Sequence, residues 1–341
     1  MKAEKTLTVS VSAYNVEKTI NETLSHFMTL KNLDALEVLI INDGSTDETA
    51  DIVSSYVNKY PDVYKIINKE NGGWGSTLNT GIDYATGKYF KQLDGDDYFD
   101  SFNLDFFLEY LKECNADLVY SPFIIFDDKT GGIIKMVGDY GKYFDKEILV
   151  NIDELEEFIP AMHSMTVKTD ILQKNKIRIT ENSFYTDLEY VFKAYNTCYT
   201  MTYFSKAIYY YRIGRNGQSM SVTGIRKHYI EHQNMLFSMI RYIDNNVTKE
   251  NIRRAFLNRL EYMAYMQYLF YMVLPCSIKN KKELISFDTA LKRENEHLYE
   301  KLNIHQPIRF WRGHKFVAYY LLSHLKVMQD KKRRINVFEG G

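Results

Sequence analysis

The chain has 341 residues, 45% hydrophobic and 26% charged, enough apolar surface for one large or two medium globular domains. Its three cysteines, Cys114, Cys198 and Cys276, are far apart and lack metal-ligand spacing, which excludes a disulfide framework and a zinc module and makes a reducing cytoplasm the expected compartment. Net charge is only -1, yet Ile225 to Gly341 holds 21 Lys and Arg against 11 Asp and Glu, so an acidic front and a basic back are expected to meet different partners.

Met1 to Lys5 runs into a strand-like segment with no apolar stretch and cleavage site, so no secretion signal is expected. Leu7 to Ala13 is rich in β-branched residues and enters a turn at Tyr14-Asn15. Val16, Ile20, Leu24, Phe27 and Leu30 recur at helical spacing. Glu37 to Ile41 is a short apolar run ended by Asn42-Asp43-Gly44-Ser45, and Asp47 is placed to cap a helix reaching Tyr56 or Val57. A strand at Val63 to Ile67, a glycine-rich turn at Asn71 to Gly75, a helix ending near Gly87 and a strand at Lys88 to Leu93 follow.

This alternation predicts an α/β fold, a mainly parallel sheet flanked by helices, with ligands beyond the carboxyl ends of the strands. Tyr14-Asn15, Asp43-Gly44-Ser45 and Asp94 to Asp97 all lie at such ends and are expected to share one crevice. Farther on, Asp117 to Phe126 reads as one strand, Ile133 to Val137 as a returning strand, and Asp153 to Phe158 and Asp187 to Tyr195 as helices. From Lys227 the chain reads as helical, interrupted at Pro275 and Pro307, so the expected domains are 1–224 and a basic helical region, 225–341.

An apolar strand ending in Asp94-Gly95-Asp96-Asp97 is costly unless a cation or hydrogen bonds take up the charge. Closely spaced carboxylates suit magnesium or manganese, and a solvated acidic loop is the competing reading. Asn71 to Ser76 fits a turn that cradles phosphate on backbone N–H groups, or any sharp strand-to-helix turn; Trp74 either covers a ligand or packs.

Taken together, Val9 to Asn15, Ile41 to Asp47, Asn71 to Gly81 and Gly87 to Asp97 resemble glycosyltransferase family 2 of the GT-A fold in order, spacing and strand-end placement. The likeness runs from Thr6 to Ser221, with Phe184 to Tyr190 resembling the helix start that carries the family's catalytic acid and Tyr209 to Ser221 the segment that closes the donor site. The resemblance implies an inverting enzyme moving one sugar from a nucleotide-diphosphate donor, UDP-hexose or UDP-N-acetylhexosamine, with Mn2+ or Mg2+, in cell-surface polysaccharide or glycoconjugate synthesis. By it, Asp43 meets the nucleobase, with Tyr14 in the same pocket; Asp94 contacts the ribose or the metal's water shell; Asp96 binds the metal; and Asp187 is the general base. Ala13, Asn15, Gly73, Asn79, Gly95, Arg212 and Arg215 complete the implied donor site, the two arginines as a diphosphate clamp or as surface ion pairs.

Departures from the family pattern are Ala13 for proline, Gly75, Thr77 and Leu78 for the common Ser, Ala and Arg, and Thr186 for the acid before the catalytic Asp. The glutamine and arginine-tryptophan signature of processive synthases is missing, which favours single additions. His163 stands on the acceptor side as a second catalytic candidate, although a lone histidine is more often structural.

Tyr262 to Pro275 and Phe316 to Met328 are too short and polar to span a bilayer, so membrane contact is expected to be peripheral, on the inner face. Arg309 to Phe316 and Lys331 to Arg334 combine aromatic and cationic residues, which suits an anionic membrane surface and a lipid-linked saccharide acceptor, or a solvated basic face over a packed core. Near-neutral charge and the lack of a recognisable module exclude nucleic acid. A sugar nucleotidyltransferase would place a basic glycine-rich loop where Ser12 to Asn15 stands; a non-catalytic sugar-nucleotide-binding subunit would tolerate loss of Asp187.

Overall fold

The computed structural model describes residues 5–138, 149–214, 221–317 and 319. The chain forms two compact units, Met1–Arg215 and Asn216–Gly341.

The first unit opens with β1 (Leu7–Ala13), α1 (Ile20–Ser25), β2 (Leu36–Asn42), α2 (Thr49–Lys59), β3 (Tyr64–Asn68), α3 (Trp74–Tyr84) and β4 (Tyr89–Asp94). Next come β5 (Tyr98–Phe99), α4 (Ser101–Glu113), β6 (Leu118–Tyr120), β7 (Phe123–Asp127), β8 (Ile133–Val137) and β9 (Val150–Asn151). The unit closes with β10 (Met165–Lys168), α5 (Thr169–Lys174), α6 (Asp187–Thr197), β11 (Thr200–Tyr203) and β12 (Tyr209–Ile213). The larger sheet has the order β3-β2-β1-β4-β10-β6-β11-β9, with its first four strands parallel and β10 antiparallel to both neighbours. The smaller sheet has the order β5-β12-β7-β8.

Strands buried on both faces read as continuous apolar runs, and β2 is one, with every residue buried. Leu7, Val9 and Val11 of β1 are fully buried, each worth roughly 1.5–3 kcal/mol. Helix α3 lies tight on β1: a Cβ on Gly81 would fall 2.0 Å from the Ser10 hydroxyl. Close packing here fixes the helix start, and so the loop before it, over the ends of the parallel strands.

Two expectations fail. Asp117 to Phe126 is not one strand but β6 and β7, in different sheets, because Pro122 has no N–H to continue the ladder. Asp153 to Phe158 forms no helix; a single 3₁₀ turn at Ile152–Glu154 is followed by Glu157 at φ 51°. Four acidic residues among those six repel one another on any helical turn.

The second unit comprises α7 (Val222–Asn246), α8 (Glu250–Val273), α9 (Ile278–Glu294), α10 (Glu296–Lys301) and α11 (Gln306–Gly313). Pro275 follows the end of α8, whereas Pro307 sits in the first turn of α11, where its missing N–H costs nothing. Three residues of the Arg309 to Phe316 motif turn inward, since Trp311 is fully buried, Phe316 is buried, and Arg312 bonds Asp288 at 2.8 Å while stacking 3.4 Å from the Tyr299 ring; Arg309, Phe310, Gly313, His314 and Lys315 are exposed. The packed-core reading therefore holds for those three side chains; Lys331 to Arg334 lie outside the described residues. No described helix is long and apolar enough to cross a membrane.

Candidate active site

Parallel pairing sets Ala13 beside Asn42 and Ser12 beside Asp94, so the segments that follow β1, β2 and β4 emerge together. The Asp43 amide donates to the Ala13 carbonyl at 2.9 Å, and the Gly95 amide to that of Ser12 at 2.9 Å. Asn15, in the left-handed region at φ 51°, accepts the Thr46 amide at 2.9 Å on its side-chain oxygen, and its own amide donates to the Ser45 hydroxyl at 3.1 Å. Tyr14, between them, is 52% exposed over this edge.

The Asp43 carboxylate is buried and already held, accepting the Gly72 amide at 2.9 Å, the Gly73 amide at 2.8 Å and the Lys69 ammonium at 2.8 Å. This corrects the phosphate-cradle expectation: the glycine amides are spent on an internal carboxylate. Gly73 adopts φ 79°, a conformation that favours glycine, and its carbonyl accepts the Ser76 amide at the start of α3. A Cβ at Gly75 would fall 2.1 Å from the Thr180 carbonyl oxygen, so the departure from serine there lets α3 press against the 179–182 segment.

Asp94 accepts the Trp74 indole N–H at 2.7 Å. Burial pushes its carboxyl up to about 7; Asp96 adds to the rise, the indole N–H opposes it, and Asp187 contributes from the start of α6. Gly95 lies so close to β1 that a Cβ would fall 2.7 Å from the Ser12 carbonyl, and its own carbonyl accepts the Thr19 and Thr23 hydroxyls at 3.0 and 3.1 Å. Asp97 is buried, with one oxygen on the Tyr209 hydroxyl and the other on the Arg212 amide, each at 2.7 Å; burial, then Asp96 and Asp94, hold its carboxyl well above the ordinary range.

Tyr211 lies in β12 between Tyr209 and Arg212, the two residues that hold Asp97. Burial first, then the charges of Asp97, Asp94, Asp187 and Asp96, raise its phenol. Its ring lies 4.5 Å from the His163 ring, which also stacks on Phe123 and meets the edge of Tyr209, both at 4.8 Å. Burial, aided by the Lys91 charge, lowers the His163 imidazole to about 3, so it stands neutral at physiological pH. Ligand atoms of His163, Asp94 and Asp97 lie within 4.8 Å of one another, but both Asp97 oxygens already accept hydrogen bonds.

Carboxylate oxygens are the donor set Mg2+ or Mn2+ requires. The neighbouring cations are committed elsewhere: Lys69 to Asp43, Lys91 to the His163 and Met165 carbonyls, and Arg212 to Glu22 and Asp128. A divalent ion would offset the burial and the Asp96 repulsion that together raise Asp94.

Two implied donor residues are placed differently from expectation. The Arg212 side chain, 8% exposed, pairs with Glu22 and Asp128 and donates to the Asp96 carbonyl at 2.6 Å, so it braces the acidic turn instead of clamping diphosphate. Asn79 is buried and exchanges hydrogen bonds with the Ile179 main chain at 2.8 and 2.9 Å, which spends its amide on holding the segment before α6. Arg215 lies outside the described residues. Sequence reasoning missed Lys69 and Lys91; a lysine at the centre of an apolar strand such as β4 was the visible signal for the second.

The profile described as Glycosyl transferase family 2 matches residues 8–174, which contain β1 from its second residue, β2 to β4, Asp43 and Asp94 to Asp97. This chain carries a glycosyltransferase family 2 domain. Its curated relatives include the minor teichoic acid biosynthesis protein GgaB of Bacillus subtilis, 27% identical over 71% of this chain and 27% of that protein. The poly(ribitol-phosphate) beta-glucosyltransferase of Bacillus spizizenii is 28% identical over 74% of this chain and 40% of the relative. The chain thus spans between a quarter and two-fifths of the length of these two relatives. Residues 1–349 of S. aureus TarS, solved in complex with UDP-GlcNAc, share the fold with a TM-score of 0.69 at 18% identity, over 95% of this chain and 92% of that one. The α/β fold with a helical C-terminal region is as expected from sequence.

Proposed function

We propose that this chain transfers a single sugar, with inversion, from a UDP-hexose or UDP-N-acetylhexosamine to a hydroxyl of a surface glycan or polyol-phosphate polymer. The observation that carries the reading is the acidic turn Asp94 to Asp97 at the end of β4, paired beside β1 so that it emerges with Asp43 beyond the ends of the parallel strands. The TarS fold match with UDP-GlcNAc bound to that protein supports the donor, and the teichoic-acid names of the two relatives support the acceptor class.

Asp43, fixed by Lys69 and the glycine amides, presents a rigid acceptor edge to the nucleobase, with Tyr14 beside it. Asp96 and Asp94 would hold Mn2+ or Mg2+, which supplies charge neutralisation for the departing diphosphate. Asp187, exposed in the first turn of α6 where the helix dipole favours negative charge, takes the proton of the attacking hydroxyl. Neutral His163 and Tyr211 wall the cleft and do not compete for that proton. We place the domain boundary ahead of α7, between Arg215 and Asn216, and the protein at the cytoplasmic membrane face, where the basic surplus of the second unit meets an anionic or lipid-linked acceptor.

The test is a panel of UDP-sugars with manganese, read by thermal shift and by UDP release. Binding and slow donor hydrolysis by one UDP-sugar are expected. Neither event with any donor would overturn the reading.

A further inference from the structure

The start of α3 and the end of β4 are each pinned by their main chains. On the helix side, Gly75 abuts the Thr180 carbonyl and the Gly72 carbonyl accepts the Asn182 amide at 2.6 Å. On the strand side, the Asp94 amide donates to the Tyr209 hydroxyl at 3.3 Å and the Gly95 amide to Ser12. What remains free at Asp94 is rotation of its carboxylate, and the Trp74 indole N–H fixes that by binding Oδ1 at 2.7 Å. A hydrogen bond to a charged acceptor is short, directional and stronger than a neutral one.

We infer that Trp74 is a positioning residue for the acidic centre: its indole spends Asp94 Oδ1 and thereby presents Oδ2 in one orientation to the divalent ion and the donor. The inference rests on the proposed donor reading. It gives the tryptophan in the Asn71 to Ser76 turn a role that is neither a lid over ligand nor plain packing.

The chain has two tryptophans, and Trp311 is fully buried in the second unit, so Trp311→Phe leaves Trp74 as sole emitter without touching the site. In that variant, Mn2+ followed by UDP should quench and shift the emission. Trp74→Phe, which keeps a ring and removes the N–H, should weaken Mn2+-dependent UDP binding by about tenfold in calorimetry. UDP binding in EDTA and the thermal midpoint should both stay at wild-type values, a split that mere loss of packing would not give. Equal weakening with and without metal, or wild-type affinity in Trp74→Phe, overturns the inference and leaves the donor reading standing. Should Trp74→Phe fail to fold, Trp74 emission that ignores saturating Mn2+ and UDP overturns it alone. Wild-type protein that binds no UDP under any condition sinks the donor reading instead.

Discussion

The Tyr209 hydroxyl donates to Asp97 at 2.7 Å and thereby ties the smaller sheet, through β12, to the turn that carries Asp94 and Asp96. The Arg212 amide, three residues along the same strand, bonds the other Asp97 oxygen. Acidic turn and second sheet therefore move as one piece.

Tyr209→Phe removes one donor from a buried carboxylate and should cost about 1–3 kcal/mol. Hydrogen exchange of the full chain is the measurement, since two compact units make a single unfolding midpoint ambiguous. Faster exchange at the amides of Asp97 and Arg212 is expected, and unchanged protection there would refute the link.

Asp187→Asn should lower turnover by about 10²–10⁴-fold while leaving the affinity for UDP unchanged, because a general base acts in the transition state and not in donor binding. Release of UDP and calorimetry on the same preparation separate the two. Full activity in this variant would favour a non-catalytic sugar-nucleotide-binding subunit.

Chelation with EDTA should abolish transfer, and added manganese should restore it in the wild type. Asp96→Asn should need far more manganese for the same rate. Rescue curves that superimpose would show that Asp96 is not a metal ligand.

His232, buried in α7, bonds Gln267 of α8 at 2.6 Å, and burial lowers its imidazole to about 4 from 6.5, the Gln267 bond opposing. Its folded pKa is depressed, so between those values the unfolded chain takes up a proton that the folded chain refuses. Its contribution is full above pH 6.5 and is lost as pH falls toward 4, by up to ~3 kcal/mol. Urea titrations monitored at α7 and α8 from pH 7 to 4 should show the slope, and His232→Gln should flatten it.

Much of the first unit is legible because its strands carry strong local signals: β-branched runs ended by Asn, Asp and Gly, and amphipathic helices between them. The break at Ser121-Pro122 was also there to read, in the proline. The lone turn at Ile152–Glu154 was not, since its acidic run satisfies a helical pattern and fails only through mutual repulsion and the φ of Glu157.

Within the site, sequence nominated Asp43, Asp94 and Asp96 because short-range order placed them at strand ends, and Asp187 only through the family resemblance. It could not say which oxygens were already spent. The glycine amides looked available for phosphate until tertiary contact spent them on Asp43. Arg212 looked like a clamp until Glu22, 190 residues away, took its guanidinium.

By itself, then, the sequence determined the parallel α/β core, the helical second unit and the acidic cluster at the end of β4, since all three follow from periodicity and from the cost of burying charge. Tertiary structure alone decided which of those polar groups brace one another and which still face the cleft. Hydrogen-bond capacity is finite, and residues far apart in the chain compete for it only once folding has brought them together.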